Sequence, residues 1–429
     1  MNTSSTFEDF LSNLTITNDE KIIQRYKNIT KSLNKEFYEE NESETENSVK
    51  IGSYGRKTAI NGVSDLDMMF DIPSEYFSTY NDSETNGQSA LLQDVRKAIL
   101  KRYSTTDVRG DGQVVVVSFT NYIIEICPGF LQTDGSYKYP DSHNGGKWKK
   151  TDPIPEMEEI DDFNITTNNN LKNLAKFVRA WKNKCGVKIG GLLVDTLCYE
   201  FLKNNTEHHE TKFDKYDELV RDFFEYLKDY DKTREFWYSP GSKQKVYKKK
   251  SNFINKSKKA YDNVVDAIDK KDNDTVYSIW RKVFGYPFPY PIAIRESAED
   301  FTSAEQYIEQ LYPVDIRYAL TINCEVTQAG FRTVFLRELL DKLRINKKLK
   351  FFIEYTDVPK PYEVKWKIKN KGSIAKVNRN FRGQIINDDG QEVRRETSSF
   401  GGAHFVECFI IKNNICVARD RIDVPISNL

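Results

Sequence analysis

The segment Ser64-Asp65-Leu66-Asp67, which leads directly into an apolar stretch, decides which fold we expect. Alternate side chains of a β-strand point to the same face, so Asp65 and Asp67 would place two carboxylates side by side. Leu66 would point to the opposite face. Short acidic pairs flank strands and turns in many proteins, so this pair gains its meaning from two further features of the chain.

The first feature is a third acid, Glu125, inside the apolar run of residues 122–126. An ionised carboxylate within such a run is costly unless it is paired or binds a metal ion. The alternative is an outward-facing residue on a half-exposed strand. Three carboxylates from two strands would supply the hard oxygen ligands that suit Mg²⁺. Two Mg²⁺ ions held in this way can align a triphosphate with an attacking hydroxyl group.

The second feature is Gly52-Ser53, which lies upstream of the acidic pair in what we expect to be a short loop. The backbone N–H groups and the hydroxyl of such a loop can hold phosphate oxygens. The combination of a phosphate-binding loop with three carboxylates predicts a nucleotidyltransferase.

The composition limits the class of protein. A chain of 429 residues is long enough for two or three domains. Its formal net charge is zero, which argues against non-specific coating of nucleic acid. No signal peptide or membrane-spanning run is evident, so we expect no membrane partner and a cytoplasmic location. Six scattered cysteines without CxxC spacing indicate buried thiols in a reducing compartment: Cys127, Cys185, Cys198, Cys324, Cys408 and Cys416.

The hydrophobic pattern divides the chain into three segments. Residues 1–155 would form the catalytic core, beginning with one long amphipathic helix over 6–38 and including a loop-like stretch over 129–155. Residues 156–295 would form an all-helical lobe, with a helix over 164–181 and a solvated basic loop over 243–250. A proline-rich boundary lies near 287–305. Residues 300–429 alternate like the strands of a β-sandwich.

Gly52-Ser53, the Asp65/Asp67 pair and Glu125 resemble the polymerase-β-like nucleotidyltransferases, and in detail the cGAS- and DncV-like CD-NTases of the SMODS type. Further segments resemble that family: 124–130, 137–140, 145–148, 151–153, 174–182 and 280–289. Residues 362–372 and 400–408 resemble the AGS-C sensor domain that is fused to SMODS enzymes. The implied fold class is α+β, with a polymerase-β-like core, a helical lobe and a β-sandwich-like C-terminal domain.

The resemblance implies a Mg²⁺-dependent synthase that joins NTPs, ATP among them, into a cyclic oligonucleotide second messenger for antiphage defence. Asp65, Asp67 and Glu125 would hold two metal ions, for which Mn²⁺ could substitute, although the family more often has Asp at the position of Glu125. Gly52 and Ser53 would bind the donor phosphates. Either Arg179 or Lys182 would correspond to a phosphate-contacting lysine. A downstream effector would read the product, and the C-terminal domain would bind an activating ligand.

Three alternatives remain open from the sequence. The same site could make a linear oligonucleotide, or it could transfer a nucleotide to tRNA or protein. The chain could also be a non-catalytic nucleotide sensor, although a complete set of three acids argues against that. His404 in the C-terminal segment is expected to be structural rather than ligand-sensing.

Overall fold

The computed structural model describes residues 1–16, 19–39, 41–62, 65–120, 122–270, 273–290, 305–328, 330, 332–339, 343–378 and 380–427. The chain divides into two compact units. The first unit lies within residues 3–179 and 190–249, and the second within residues 1–2, 180–189 and 250–429. The boundaries of these two units differ from those of the three segments expected from the sequence. The three-segment division stays a prediction.

The first unit begins with two helices where the sequence predicted one. Thr15 and Ile16 are not helical, and the Thr15 hydroxyl donates a hydrogen bond to the Leu11 carbonyl oxygen. Both residues are β-branched and favour helix only weakly. The helices of this part of the chain are α1 (Thr3–Leu14), α2 (Asp19–Phe37), α3 (Gly52–Gly55), α4 (Phe77–Asn81), α5 (Gly87–Leu100), α6 (Pro153–Thr166), α7 (Asn170–Cys185), α8 (Gly191–Asn204) and α9 (Tyr216–Lys228).

A mixed sheet forms the centre of the first unit. Its strand order is β1-β2-β5-β4-β3, with β2 and β5 parallel, and β6 and β7 continue from the end of β5. Apolar residues of α2 and α5 cover one face of this sheet. The strands are β1 (Ser48–Ile51), β2 (Asp65–Asp71), β3 (Asp107–Asp111), β4 (Val114–Ser118), β5 (Ile123–Leu131), β6 (Tyr137–Asp141) and β7 (Lys147–Thr151).

The loop-like interpretation of residues 129–155 is wrong. This stretch contains the end of β5, the β6–β7 hairpin and the start of α6. Its tyrosines, lysines and glycines form an edge hairpin with short turns, and Pro153 occupies the first helical position, where proline is favoured.

The helical part of the first unit also differs from the prediction. The helix expected over 164–181 is interrupted at Asn168 and Asn169, whose φ angles of 48° and 70° are left-handed, so α6 ends and α7 begins there. The region is not all-helical, because β8 (Phe236–Tyr238) and β9 (Lys245–Tyr247) form a hairpin, and β9 lies within the expected basic loop.

The second unit contains the remaining helices and two sheets. The helices are α10 (Phe253–Asp269), α11 (Asn273–Phe284), α12 (Ile308–Leu311) and α13 (Ser373–Val377). The strands are β10 (Leu320–Thr327), β11 (Val334–Phe335), β12 (Leu343–Arg344), β13 (Lys348–Thr356), β14 (Glu363–Lys369), β15 (Arg382–Asn387), β16 (Arg394–Thr397), β17 (Gly402–Lys412) and β18 (Ile415–Ser427).

The two sheets of the second unit confirm the β-rich C-terminal segment. One has the order β11-β10-β13-β16 and the other β12-β18-β17-β14-β15. Phe351 of the first sheet packs against Trp366 of the second, with ring centroids 6.5 Å apart. Much of the proline-rich boundary, residues 291–304, lies outside the described residues. None of the described helices has the length and apolar character needed to cross a membrane.

Candidate active site

Strands β2 and β5 place the three predicted acids on one face of the sheet. In the parallel register Asp67 lies beside Glu125, and Asp65 lies beside Ile123. Leu66 points to the opposite face and is buried in the core beneath α2 and α5. The alternation predicted from the sequence is therefore present, and the acids face away from that core.

The neighbours of Asp67 and Glu125 within the sheet are apolar. Ile51 of β1 pairs with Asp67, and Val116 of β4 pairs with Glu125, so the two carboxylates occupy the middle of a four-strand row. Two like charges at adjacent positions disfavour each other in such surroundings. A bound cation would remove that repulsion.

Cys127 shows that one side of these half-buried acids is poorly solvated. Its thiol is buried in a small apolar cluster with Met69 and Tyr137. Burial is the main reason that its pKa is raised to about 12, and the negative charges of Asp67 and Glu125 contribute to the same increase. Electrostatic interactions are stronger where water is excluded, so a divalent cation near these acids would be held more firmly than at an open surface.

Gly52 lies directly against Asp67. It has a φ of 61°, a conformation that residues with a side chain rarely adopt, and a Cβ atom there would collide with Oδ2 of Asp67. Gly52 and Ser53 begin α3, a single helical turn, instead of the open loop expected from the sequence. The Ser53 carbonyl oxygen accepts hydrogen bonds from the backbone N–H groups of Thr58 and Ala59, which fixes the turn.

The contact between Gly52 and Asp67 leads to a testable prediction. Gly52→Ala should lower nucleotidyl transfer about tenfold or more, because the new methyl group displaces the Asp67 carboxylate and the backbone is strained. Gly62→Ala is the matched control, since Gly62 has a φ of 80° but open space where its Cβ would lie. Initial rates of pyrophosphate release compare the two variants. Equal losses of activity in the two variants would show that backbone strain, and not displacement of Asp67, causes the loss.

Arg179 takes part in a buried ion pair. Its guanidinium donates hydrogen bonds of 2.6 and 2.8 Å to the two carboxylate oxygens of Asp195, and it is 4% exposed. Lys182, one turn later on α7, donates to Asp315 at 3.0 Å and is 8% exposed. The structure therefore gives both side chains carboxylate partners. A role in binding phosphate stays a prediction for both.

Asp195 is a residue that the sequence interpretation missed. It is fully buried, and it also accepts hydrogen bonds from Arg56 at 2.7 Å and from the Thr58 hydroxyl at 3.2 Å. Arg56 and Thr58 directly follow α3, so this carboxylate anchors the turn that carries Gly52. The sequence did contain a signal for Asp195, because an acid between Val194 and Thr196 in an apolar helix must have a buried partner. The same reasoning identified Glu125 in its apolar strand.

Trp148, in the β6–β7 hairpin, has packing partners within the fold. Trp148 lies 5.2 Å from Phe77 and 5.5 Å from Phe130 between ring centroids, and its indole N–H donates to Asn81. These contacts favour a structural role for Trp148. The contacts of His404 also favour the structural role expected for it, because Nδ1 accepts a hydrogen bond from the Lys371 N–H and Nε2 donates one to the Phe400 carbonyl oxygen.

The donor set of the acidic face fits Mg²⁺ in chemistry, because it consists of carboxylate oxygens held on adjacent strands. The side chains themselves do not form a complete metal-coordination site in the described residues. Across the described ranges, no group of three or more His, Cys, Asp and Glu side chains is arranged to hold a metal ion.

Comparisons with known proteins agree with this geometry. Residues 1–164 match the Second Messenger Oligonucleotide or Dinucleotide Synthetase (SMODS) domain. Residues 302–427 match the Adenylyl/Guanylyl and SMODS C-terminal sensor domain, AGS-C. A probable cyclic nucleotide synthase of Bacillus cereus (strain VD146) is 22% identical over 277 residues, which cover 56% of this chain and 82% of the relative.

Two solved structures share the fold. CdnC of E. coli MS115-1 in complex with HORMA-deltaN has a TM-score of 0.52 at 14% identity, covering 67% of this chain and 98% of CdnC. The same enzyme with ATP has a TM-score of 0.51 at 15% identity, covering 67% and 99%. The chain thus contains a nucleotidyltransferase domain of the SMODS type over residues 1–164 and an AGS-C domain over residues 302–427. The predicted α+β fold with a CD-NTase core is confirmed.

Proposed function

We propose that this protein is a Mg²⁺-dependent synthase that joins NTPs into a cyclic oligonucleotide second messenger for antiphage defence. The observation that carries the proposal is the position of Asp65, Asp67 and Glu125 on one face of β2 and β5, with Gly52 against Asp67. This arrangement provides carboxylates for metal ions next to a turn that can receive phosphates.

Each side chain would have a distinct task. Asp65 and Asp67 would hold the metal ions, and Glu125 would complete the ligand set and accept the proton of the attacking ribose hydroxyl. When bound, Mg²⁺ would neutralise charge on the α-phosphate and the leaving pyrophosphate and lower the pKa of the attacking hydroxyl. The backbone N–H groups of α3 and the Ser53 hydroxyl would position the β- and γ-phosphates of the donor.

The proposed product type and substrate rest on the relatives. The Bacillus cereus relative is described as a probable cyclic nucleotide synthase, and the E. coli enzyme was solved with ATP, which supports a cyclic product and an NTP substrate for this chain. The AGS-C domain supports control by an activating ligand, and a separate effector would read the product. The six unpaired thiols support a reducing compartment, and we place the protein in the cytoplasm.

Product analysis tests this proposal. The purified full-length protein is incubated with labelled NTPs and Mg²⁺ or Mn²⁺, treated with phosphatase, and analysed by chromatography and mass spectrometry. We expect a product that resists phosphatase because it has no terminal phosphate. A phosphatase-sensitive ladder would contradict the cyclic product and identify a linear synthase, whereas labelling of added tRNA or protein would identify a transferase for macromolecules.

A further inference from the structure

The second unit contains a cavity of about 250 Å³ that has no part in the site described above. One side of α10 contributes residues at positions 256, 259, 260 and 263, a spacing that places them on a single helix face. The ends of α7 and α11 and the strands β17 and β18 form the rest of its wall.

Positive charge predominates around this cavity. Three anionic side chains line it: Glu407, Asp420 and Asp423. Six cationic side chains also line it: Lys184, Lys256, Lys259, Lys282, Arg419 and Arg421. The lining therefore has a surplus of three positive charges. The chain as a whole has a net charge of zero, so this surplus is a local feature.

The base of the cavity is a rigid, buried ion-pair network. Arg419 is 4% exposed and donates hydrogen bonds to Glu309 at 2.9 Å and to Glu407 at 3.1 Å. Lys184 lies 3.5 Å from Glu407, and burial lowers the pKa of its ammonium group. Charges that are held in place at a poorly solvated site attract a ligand more strongly than mobile surface charges do.

The lysines at the rim are held less firmly. Lys256 lies 3.5 Å from Asp420 and Lys259 lies 3.6 Å from Asp423, distances at the long end for an ion pair. Asp420 and Asp423 also pair, through their other carboxylate oxygens, with Arg337 at 3.1 Å and Arg421 at 2.7 Å. Each carboxylate would therefore keep an arginine partner if an incoming anion drew Lys256 or Lys259 away from it.

The rest of the lining suits a nucleotide-sized molecule. Ala260, Val283 and Cys185 provide an apolar wall beside the cationic rim, and Asn263 adds a side chain that can donate and accept hydrogen bonds. A pocket with a few polar groups and an apolar wall is typical of small-molecule sites.

We propose that this cavity binds a small, multiply charged, phosphate-bearing molecule, and that strands β17 and β18 of the AGS-C part form this ligand site together with α7, α10 and α11. The shared chemistry is two or more phosphate charges on a ligand no larger than a mononucleotide or dinucleotide. The site deepens the proposed function by providing a place for control, but binding there does not require the acids of β2 and β5.

Calorimetric titration of the full-length protein tests this site. EDTA is included because it removes divalent metal ions and so suppresses metal-dependent binding of nucleotides at the catalytic face. The probes are ATP, a synthetic cyclic dinucleotide, pyrophosphate and uncharged adenosine. We expect at least one of the phosphate-bearing probes to bind and adenosine not to bind. Binding of pyrophosphate and nucleotides alike would show that the site recognises phosphate alone. Binding of the nucleotides but not of pyrophosphate would show that the apolar wall also contacts the base.

Adjacent lysines of α10 supply a matched pair of variants. Lys259→Glu should weaken binding at least tenfold because Lys259 lines the cavity, whereas Lys258→Glu should leave it within about twofold because Lys258 is exposed outside it. Lys282→Glu serves as a second test from α11. No binding of any phosphate-bearing probe, or equal weakening by Lys258→Glu and Lys259→Glu, would overturn the proposal. Asp67→Asn should retain binding, which separates a failure here from a failure of the catalytic assignment.

Discussion

Asp67→Asn is expected to lower the rate of nucleotidyl transfer at least about 100-fold, the effect typical of losing one electrostatic group at a transition state. Asparagine keeps the shape of the side chain, so the sheet should fold normally while one metal-binding charge is lost. Asp67 lies beside Glu125 in the parallel register and against Gly52, at the centre of the proposed site. Pyrophosphate release with saturating NTP and Mg²⁺ measures the effect.

Asp71→Asn is the matched control for this prediction. Asp71 lies four residues further along β2 on the same face, where its carboxylate accepts a hydrogen bond from the Leu131 N–H at 3.0 Å. An asparagine oxygen can accept the same bond, so we expect activity within a few-fold of the wild type. If Asp67→Asn and Asp71→Asn lose activity to the same degree, the assignment of the catalytic face is wrong.

Asp195→Ala is expected to destabilise the protein by about 3–5 kcal/mol, the range measured when one partner of a buried ion pair is removed. The carboxylate is fully buried and accepts hydrogen bonds from Arg179 and Arg56. Its removal leaves two guanidinium groups buried without their main counter-charge. Urea unfolding monitored by circular dichroism gives the change in the free energy of unfolding.

Asp162→Ala provides the comparison for Asp195→Ala, because Asp162 is an exposed acid of α6 in the same unit. We expect a change within about 0.5 kcal/mol for this surface position. A small effect of Asp195→Ala would mean that Arg179 and Arg56 are solvated in the folded protein. In that case Arg179 would be available to phosphate, as the sequence resemblance implies.

The arrangement of the three acids could be predicted from the sequence because it depends on local rules. Strand alternation fixes the shared face of Asp65 and Asp67, and the cost of an acid in an apolar run draws attention to Glu125. The side-by-side register of Asp67 and Glu125 depends on parallel pairing between distant segments. No local pattern specifies that register.

The environments of Arg179 and Lys182 could not be predicted for the same reason. Both lie on α7, and the amphipathic pattern does not distinguish a solvated cation from one that meets a carboxylate of another element. Their partners, Asp195 and Asp315, are 16 and 133 residues away along the chain. The missed β6–β7 hairpin has a related cause, because short edge strands are specified by their neighbours more than by their own composition.

The binding of Mn²⁺, measured by electron paramagnetic resonance in the presence of a non-hydrolysable NTP analogue, tests whether the acids of β2 and β5 hold the metal ions. This measurement does not depend on an activator or on turnover. We expect two tightly bound Mn²⁺ ions per chain in the wild type and in Asp71→Asn, and loss of tight binding in the Asp65→Asn/Asp67→Asn double variant. Unchanged Mn²⁺ binding in the double variant would show that the metal ions lie elsewhere and that Asp65 and Asp67 are not their ligands.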